Sequence, residues 1–274
     1  MARRSCRTLG PMNTLEHPFD DGFLSAAVRE VRAEVHRKYV THVELLYSTN
    51  REAVALQHAL TIHPEQLDEA VGAALYARTL ASTQSSVLLL EHGLQSQART
   101  ILRAALESLF PLAAIAKDPN VASSFVASHD ADRKTLVDRI RRWKDPALRA
   151  SIDSKVSEAE LDAMSKGSGK AMNLYELAKL ADMEDWYLTL YTLLSFAAHA
   201  KVSDLDRHVV LNADGIAIEF QNEPDISNQA PVWAWIVEVQ LAAIRSISAI
   251  FSLDCKVTES LSQSLRELAA RDGA

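Results

Sequence analysis

The sequence predicts an all-α protein, an antiparallel multi-helix bundle with one small β-hairpin insertion near residues 207–220. Three observations predict it. Breakers are scarce, with 8 Gly and 8 Pro among 274 residues. Apolar residues recur at three- and four-residue intervals along most of the chain, the helical period. One Asp-Gly turn between two apolar runs supplies the single β signal.

Residues 1–20 carry Pro11, Pro18 and scattered charges without apolar periodicity, and a flexible leader is expected there. Residues 21–274 are expected to form a single helical domain. Phe23, Leu24, Ala27, Val28, Val31, Val35, Tyr39 and Val43 fall on one stripe, which predicts a long first helix. A second helix opens after Pro64 and runs through Leu67, Val71, Leu75 and Leu80 to about Leu90. Gly93 predicts its end, because glycine closes helices in the left-handed conformation at little steric cost. The short link makes the third helix an antiparallel neighbour of the second. It carries Ile101, Leu102, Ala105 and Leu109, is expected to kink or restart at Pro111, and ends near Pro119.

A fourth helix is expected over 121–143, stopped by Asp145-Pro146, with a polar stretch after it. The segment 166–170, Lys-Gly-Ser-Gly-Lys, is expected to form a mobile loop. It is not a phosphate-binding loop, because Ala171 stands where G-x-x-x-x-G-K-[ST] needs Ser or Thr. Helices over 173–181 and 184–200 follow, then the hairpin, with its turn at Asn212-Ala213-Asp214-Gly215. Helices over 232–253 and 257–268 complete the chain, so that C-terminal helices fill 230–270.

The formal charge of −7 argues against a surface that binds nucleic acid throughout, and no DNA partner is expected. Cys6 and Cys255 have neither metal-ligand nor disulfide spacing, which suits a reducing cytoplasm. His58 and His63 lack a neighbouring acidic ligand, so no metal and no cofactor are expected. No apolar core follows Arg3-Arg4 to make a signal peptide, and no run approaches 20 uninterrupted apolar residues, so no membrane partner is expected.

Chemistry concentrates on two helix faces. Arg103 and Glu107, four apart, share one face, and Arg99 extends the row. Tyr191, Ser195 and His199 repeat every four residues on a second, mostly apolar helix. If the faces meet, Glu107 can accept from His199 while Arg103 supplies a fixed positive charge beside a bound anion. Arg142 and Trp143, in the densest basic stretch, form a weaker candidate for contacting RNA phosphates and stacking a base.

An R-x-x-x-E helix followed by Y-x-x-L-S-x-x-x-H and Ser203-Asp204-Leu205 resembles a widespread bacterial helical family of unknown function, itself similar to HEPN-type domains, over about 65–220. HEPN-type ribonucleases are metal-independent and often join the motifs of two protomers. The resemblance therefore implies a homodimer, an RNA or small anionic partner, a defence or stress role, His199 as general acid–base and Arg103 as phosphate stabiliser, with Glu107 and Ser195 beside them. The sequence departs from that motif: Thr192, Leu193 and Leu194 stand where its arginine should precede His199. Two readings stay open. One is a ribonuclease-like or anion-binding site. The other is a non-catalytic interaction or scaffold protein, in which the same four residues hold the bundle together and the helix around Trp233 and Trp235 forms an oligomer interface.

Overall fold

A computed structural model describes residues 18–19, 21–167, 173–199, 201–221 and 223–272. The expected leader falls almost wholly outside these, as does most of the expected loop at 166–170. The chain folds as an all-α bundle with one two-stranded antiparallel hairpin.

The expected first helix is in fact two, α1 (Val28–Lys38) and α2 (Val40–Ala59), which meet at Tyr39. Its backbone leaves the helical region, at φ −115° and ψ 32°. The cause is tertiary: the Tyr39 hydroxyl donates to the Ile226 carbonyl at 2.9 Å and accepts from the Gln229 N–H at 3.1 Å. The apolar stripe runs on through the joint, so the break does not show in the periodicity.

α3 (Leu67–Glu91) and α4 (Gln95–Lys117) form the central antiparallel pair. Gly93 between them has φ +74°, and a Cβ there would lie 2.5 Å from Pro224 Cβ. Glycine is needed for the turn and for that approach. α4 passes through Pro111 without restarting. Phe110, Pro111, Leu112 and Ala114 are all buried, and this packing outweighs the one hydrogen bond that proline removes.

α5 (Asn120–Arg141) leads into α6 (Pro146–Asp153) and α7 (Glu158–Gly167), two short helices in the stretch expected only to be polar. Asp145 caps α6 by accepting from the Ala147 N–H, and Pro146 occupies the first turn, where its missing donor costs nothing. Val137 and Leu161, with Ile152 and Val156, make a second small core apart from the main one.

α8 (Leu174–Leu180) starts in a capping box between Asn173 and Glu176. The next segment comprises α9 (Glu184–Trp186), one π-helical turn (Tyr187–Tyr191) and α10 (Thr192–Ala198). α11 (Val202–Leu205) precedes β1 (Val209–Leu211) and β2 (Ala217–Phe220), which pair with Val209 opposite Phe220.

α12 (Ala230–Ile250) lies at the centre against α2, α3 and α4, and α13 (Val257–Asp272) closes over α12 and α2. By length and mean hydropathy α12 could cross a membrane, although Glu238, Gln240 and Arg245 interrupt its apolar run; most of it is packed inside the protein. Trp233 is fully buried there, which removes it from the expected oligomer surface.

Candidate functional site

α8 and α10 both pack on α4, and the segment containing the π turn runs antiparallel to it. This brings Arg103, Glu107, Tyr191 and Ser195 together. Arg103 Nε donates to Ser195 Oγ at 3.1 Å, and its Nη2 donates to the Tyr191 hydroxyl at 2.7 Å and pairs with Glu107 Oε1 at 2.9 Å. The Tyr191 hydroxyl donates in turn to Glu107 Oε1 at 3.2 Å. Ser195 Oγ donates to the Tyr191 carbonyl one turn back, at 2.7 Å. The guanidinium carbon also stands 4.9 Å from the Tyr191 ring centroid, a cation–π contact.

Aromatic packing holds this network from behind. The Tyr187 and Tyr191 rings stack at 4.9 Å, and Phe110 and Tyr175 pack against them. Burial pushes the Tyr191 phenol above its ordinary pKa, with Arg103 opposing and Glu107 adding to the rise. The phenol therefore stays protonated at neutral pH and can donate to Glu107.

The expected Glu107–His199 bond does not form. His199 caps the C-terminus of α10, is exposed, and makes no side-chain hydrogen bond or ion pair among the described residues. The antiparallel register explains this. Glu107 sits level with Tyr191, and eight residues of helix, about 12 Å, separate that level from His199.

Arg99 joins a different neighbourhood. It lies partly buried near Asp204, Arg207 and Asp225, and its Nε meets no hydrogen-bond partner. Burial pulls its guanidinium below the ordinary value and Arg207 adds to this, while Asp204 and Asp225 oppose. Arg142 and Trp143 are exposed at the end of α5, away from the network. The basic stretch around them is partly neutralised: Arg141 pairs with Asp153 and Glu158, and Lys134 with Asp138.

No group of acidic, His and Cys residues with metal-binding geometry occurs among the described residues. His63 pairs with Glu69 at 2.7 Å. One polar cluster escapes the sequence reading: Arg32 and His36 of α1, Tyr47 of α2 and Glu91 of α3 converge on a fully buried carboxylate. The four-residue spacing of Arg32 and His36 is its only sequence signal, and nothing in that spacing points to Glu91.

The R-x-x-x-E helix and the Y-x-x-L-S-x-x-x-H segment both lie within residues 69–216, the part of the chain matched by the model of a family of unknown function. No curated protein and no solved structure matches the chain. The central helical pair, the polar network, and the first strand and turn of the hairpin fall within the matched residues, and the chain belongs to the DUF5677 family.

Proposed function

We propose that this chain is a non-catalytic interaction protein, with the Arg103 network as a latch and the hairpin as a contact surface for a second copy of the chain. The observation that carries the reading is that the network spends its polar groups on itself. Arg103 Nε and Nη2, the Tyr191 hydroxyl and the Ser195 hydroxyl all bond within the protein. A general acid–base must reach a proton at about 2.6–3.2 Å, directly or through one water, and His199 stands outside the cluster it would have to serve.

The hairpin supports the interaction side of the reading. Leu211, Ile216, Ile218 and Phe220 are exposed, Phe220 at 77%. A two-stranded ribbon in water is marginal, and each of its outer edges offers unpaired backbone groups. Such an edge is complementary to itself in antiparallel pairing, the arrangement a two-fold dimer needs. The fitting occupant is therefore another copy of the same hairpin.

Sedimentation at micromolar concentration tests this. The parent chain should be a dimer, and Ile218→Ser with Phe220→Ser should make it a monomer with unchanged helicity. A monomeric parent would overturn the dimer. RNA cleavage by the parent, abolished in His199→Ala and in Arg103→Ala while both stay folded, would replace the reading with a HEPN-like ribonuclease.

A further inference from the structure

Charges partly enclosed by protein are usually paired, because enclosure removes hydration that a partner must replace. A cavity of about 200 Å³ between α12 and α13 holds three that are not. Its floor is Leu241 and Leu265, both buried, and Trp186 of α9 forms one side. Glu238, Leu241 and Arg245 follow one another at three- and four-residue steps along α12. The acid and the base therefore share one helix face, two turns or about 10 Å apart, with the apolar floor between them.

The two bases meet only neutral oxygens. Arg245 Nη2 donates to the Ser262 hydroxyl of α13, and Arg266 Nε and Nη2 donate to the Gln263 amide oxygen at 3.3 and 2.9 Å. Ser262 and Arg266 are four apart on α13, so the Arg245–Ser262 bond brings both guanidinium groups to the same end of the cavity. Neither has a carboxylate partner among the described residues. Glu267, the nearest acid on α13, accepts instead from the Gln263 amide nitrogen at 2.9 Å. Glu238 makes no hydrogen bond or ion pair among the described residues. Partial enclosure raises its carboxyl above the ordinary carboxylate range, and no neighbouring charge adds to or offsets the rise. The acid is thus electrically separate from the two bases.

We infer that this cavity binds a small zwitterion, a molecule whose free carboxylate and free amine are joined by an apolar chain. The carboxylate lies against Arg245 and Arg266, the chain crosses Leu241 and Leu265 beside Trp186, and Glu238 receives the amine. A ligand with one charge leaves the opposite end unpaired, whereas a zwitterion satisfies both. The amine and carboxylate of an α-amino acid share one carbon and cannot reach both ends; those of an ω-amino acid or a short peptide can. The site uses no residue of the latch or of the hairpin, and all of its residues except Trp186 lie beyond the family-matched region.

The probes are ε-aminocaproate, caproate, which lacks the amine, and hexylamine, which lacks the carboxylate. Each is titrated into the full chain at constant ionic strength, and the Trp186 indole N–H, assigned with Trp186→Phe, is followed by NMR. Binding of ε-aminocaproate should saturate, and caproate and hexylamine should each bind about tenfold more weakly, the effect of losing one charge-assisted contact. Glu238→Gln should weaken ε-aminocaproate about tenfold and leave caproate unchanged, a split that a merely structural role would not produce. Arg245→Gln should weaken both acids. Glu238 and Arg245 are exposed at the cavity mouth, so both variants should fold. Displacement by trialanine assigns the site to a peptide with both ends free, and its failure to displace assigns it to an aliphatic ω-amino acid. Shifts that do not saturate, caproate binding as tightly as ε-aminocaproate, or an unchanged titration in Glu238→Gln overturns the inference.

Discussion

Arg103 makes more polar side-chain contacts than any other member of its network, and the weight of each contact can be read by removing its partner. Tyr191→Phe keeps the stacked ring and removes only the hydroxyl, so Arg103 and Glu107 still pair. A loss of about 1 kcal/mol in urea unfolding is expected, the usual net value of one hydrogen bond. Glu107→Ala takes the acceptor from both Tyr191 and Arg103. Glu107 is more than a third exposed, so water partly replaces it, and the cost should again be about 1 kcal/mol. That loss would lower Tm by about 2–4 °C for a chain of this size. A variant melting like the parent would count against the latch. Four of these residues were legible in the sequence, because i,i+4 spacing fixes which side chains share a helix face. That His199 fails to reach Glu107 was not, because the register between two packed helices depends on tertiary contacts that spacing does not encode.

Among the elements, the turn between α3 and α4 is the most constrained. Gly93→Ala must adopt a positive φ and would press its Cβ into Pro224 and the backbone at Asp225. A destabilisation of about 2–4 kcal/mol is expected by chemical denaturation, the sum of strain and overpacking. A loss below 1 kcal/mol would mean that the segment around Pro224 moves aside freely. Gly93 was readable as a stop because its glycine chemistry is local. α6 and α7 were not readable: they bury few apolar residues, and what organises them is the Asp145 cap, the Arg141 ion pairs and a small core shared with Val137 of α5. The joint at Tyr39 was hidden for a similar reason, since its hydrogen bonds reach residues nearly two hundred positions away.

At the scale of the whole molecule, the bundle closes around α12, and the hairpin stands outside that core. Trp233→Ala, at a fully buried position, should therefore cost about 3–5 kcal/mol, whereas Phe220→Ser should leave monomer stability within about 0.5 kcal/mol and act on association alone. The all-α class and the place of the hairpin were both visible in the sequence, because each rests on a period or a turn written locally. The role of the polar network is a property of the assembled fold. Groups kept for function are often held at some cost to stability, so their removal tends to be neutral or stabilising; groups that latch two elements together destabilise when lost. Equilibrium urea unfolding of Arg103→Ala separates the two cases. It leaves Ser195, Tyr191 and Glu107 without their shared donor and removes the cation–π contact. The expected result is a loss of about 2–3 kcal/mol. Stability equal to or above that of the parent would contradict the latch.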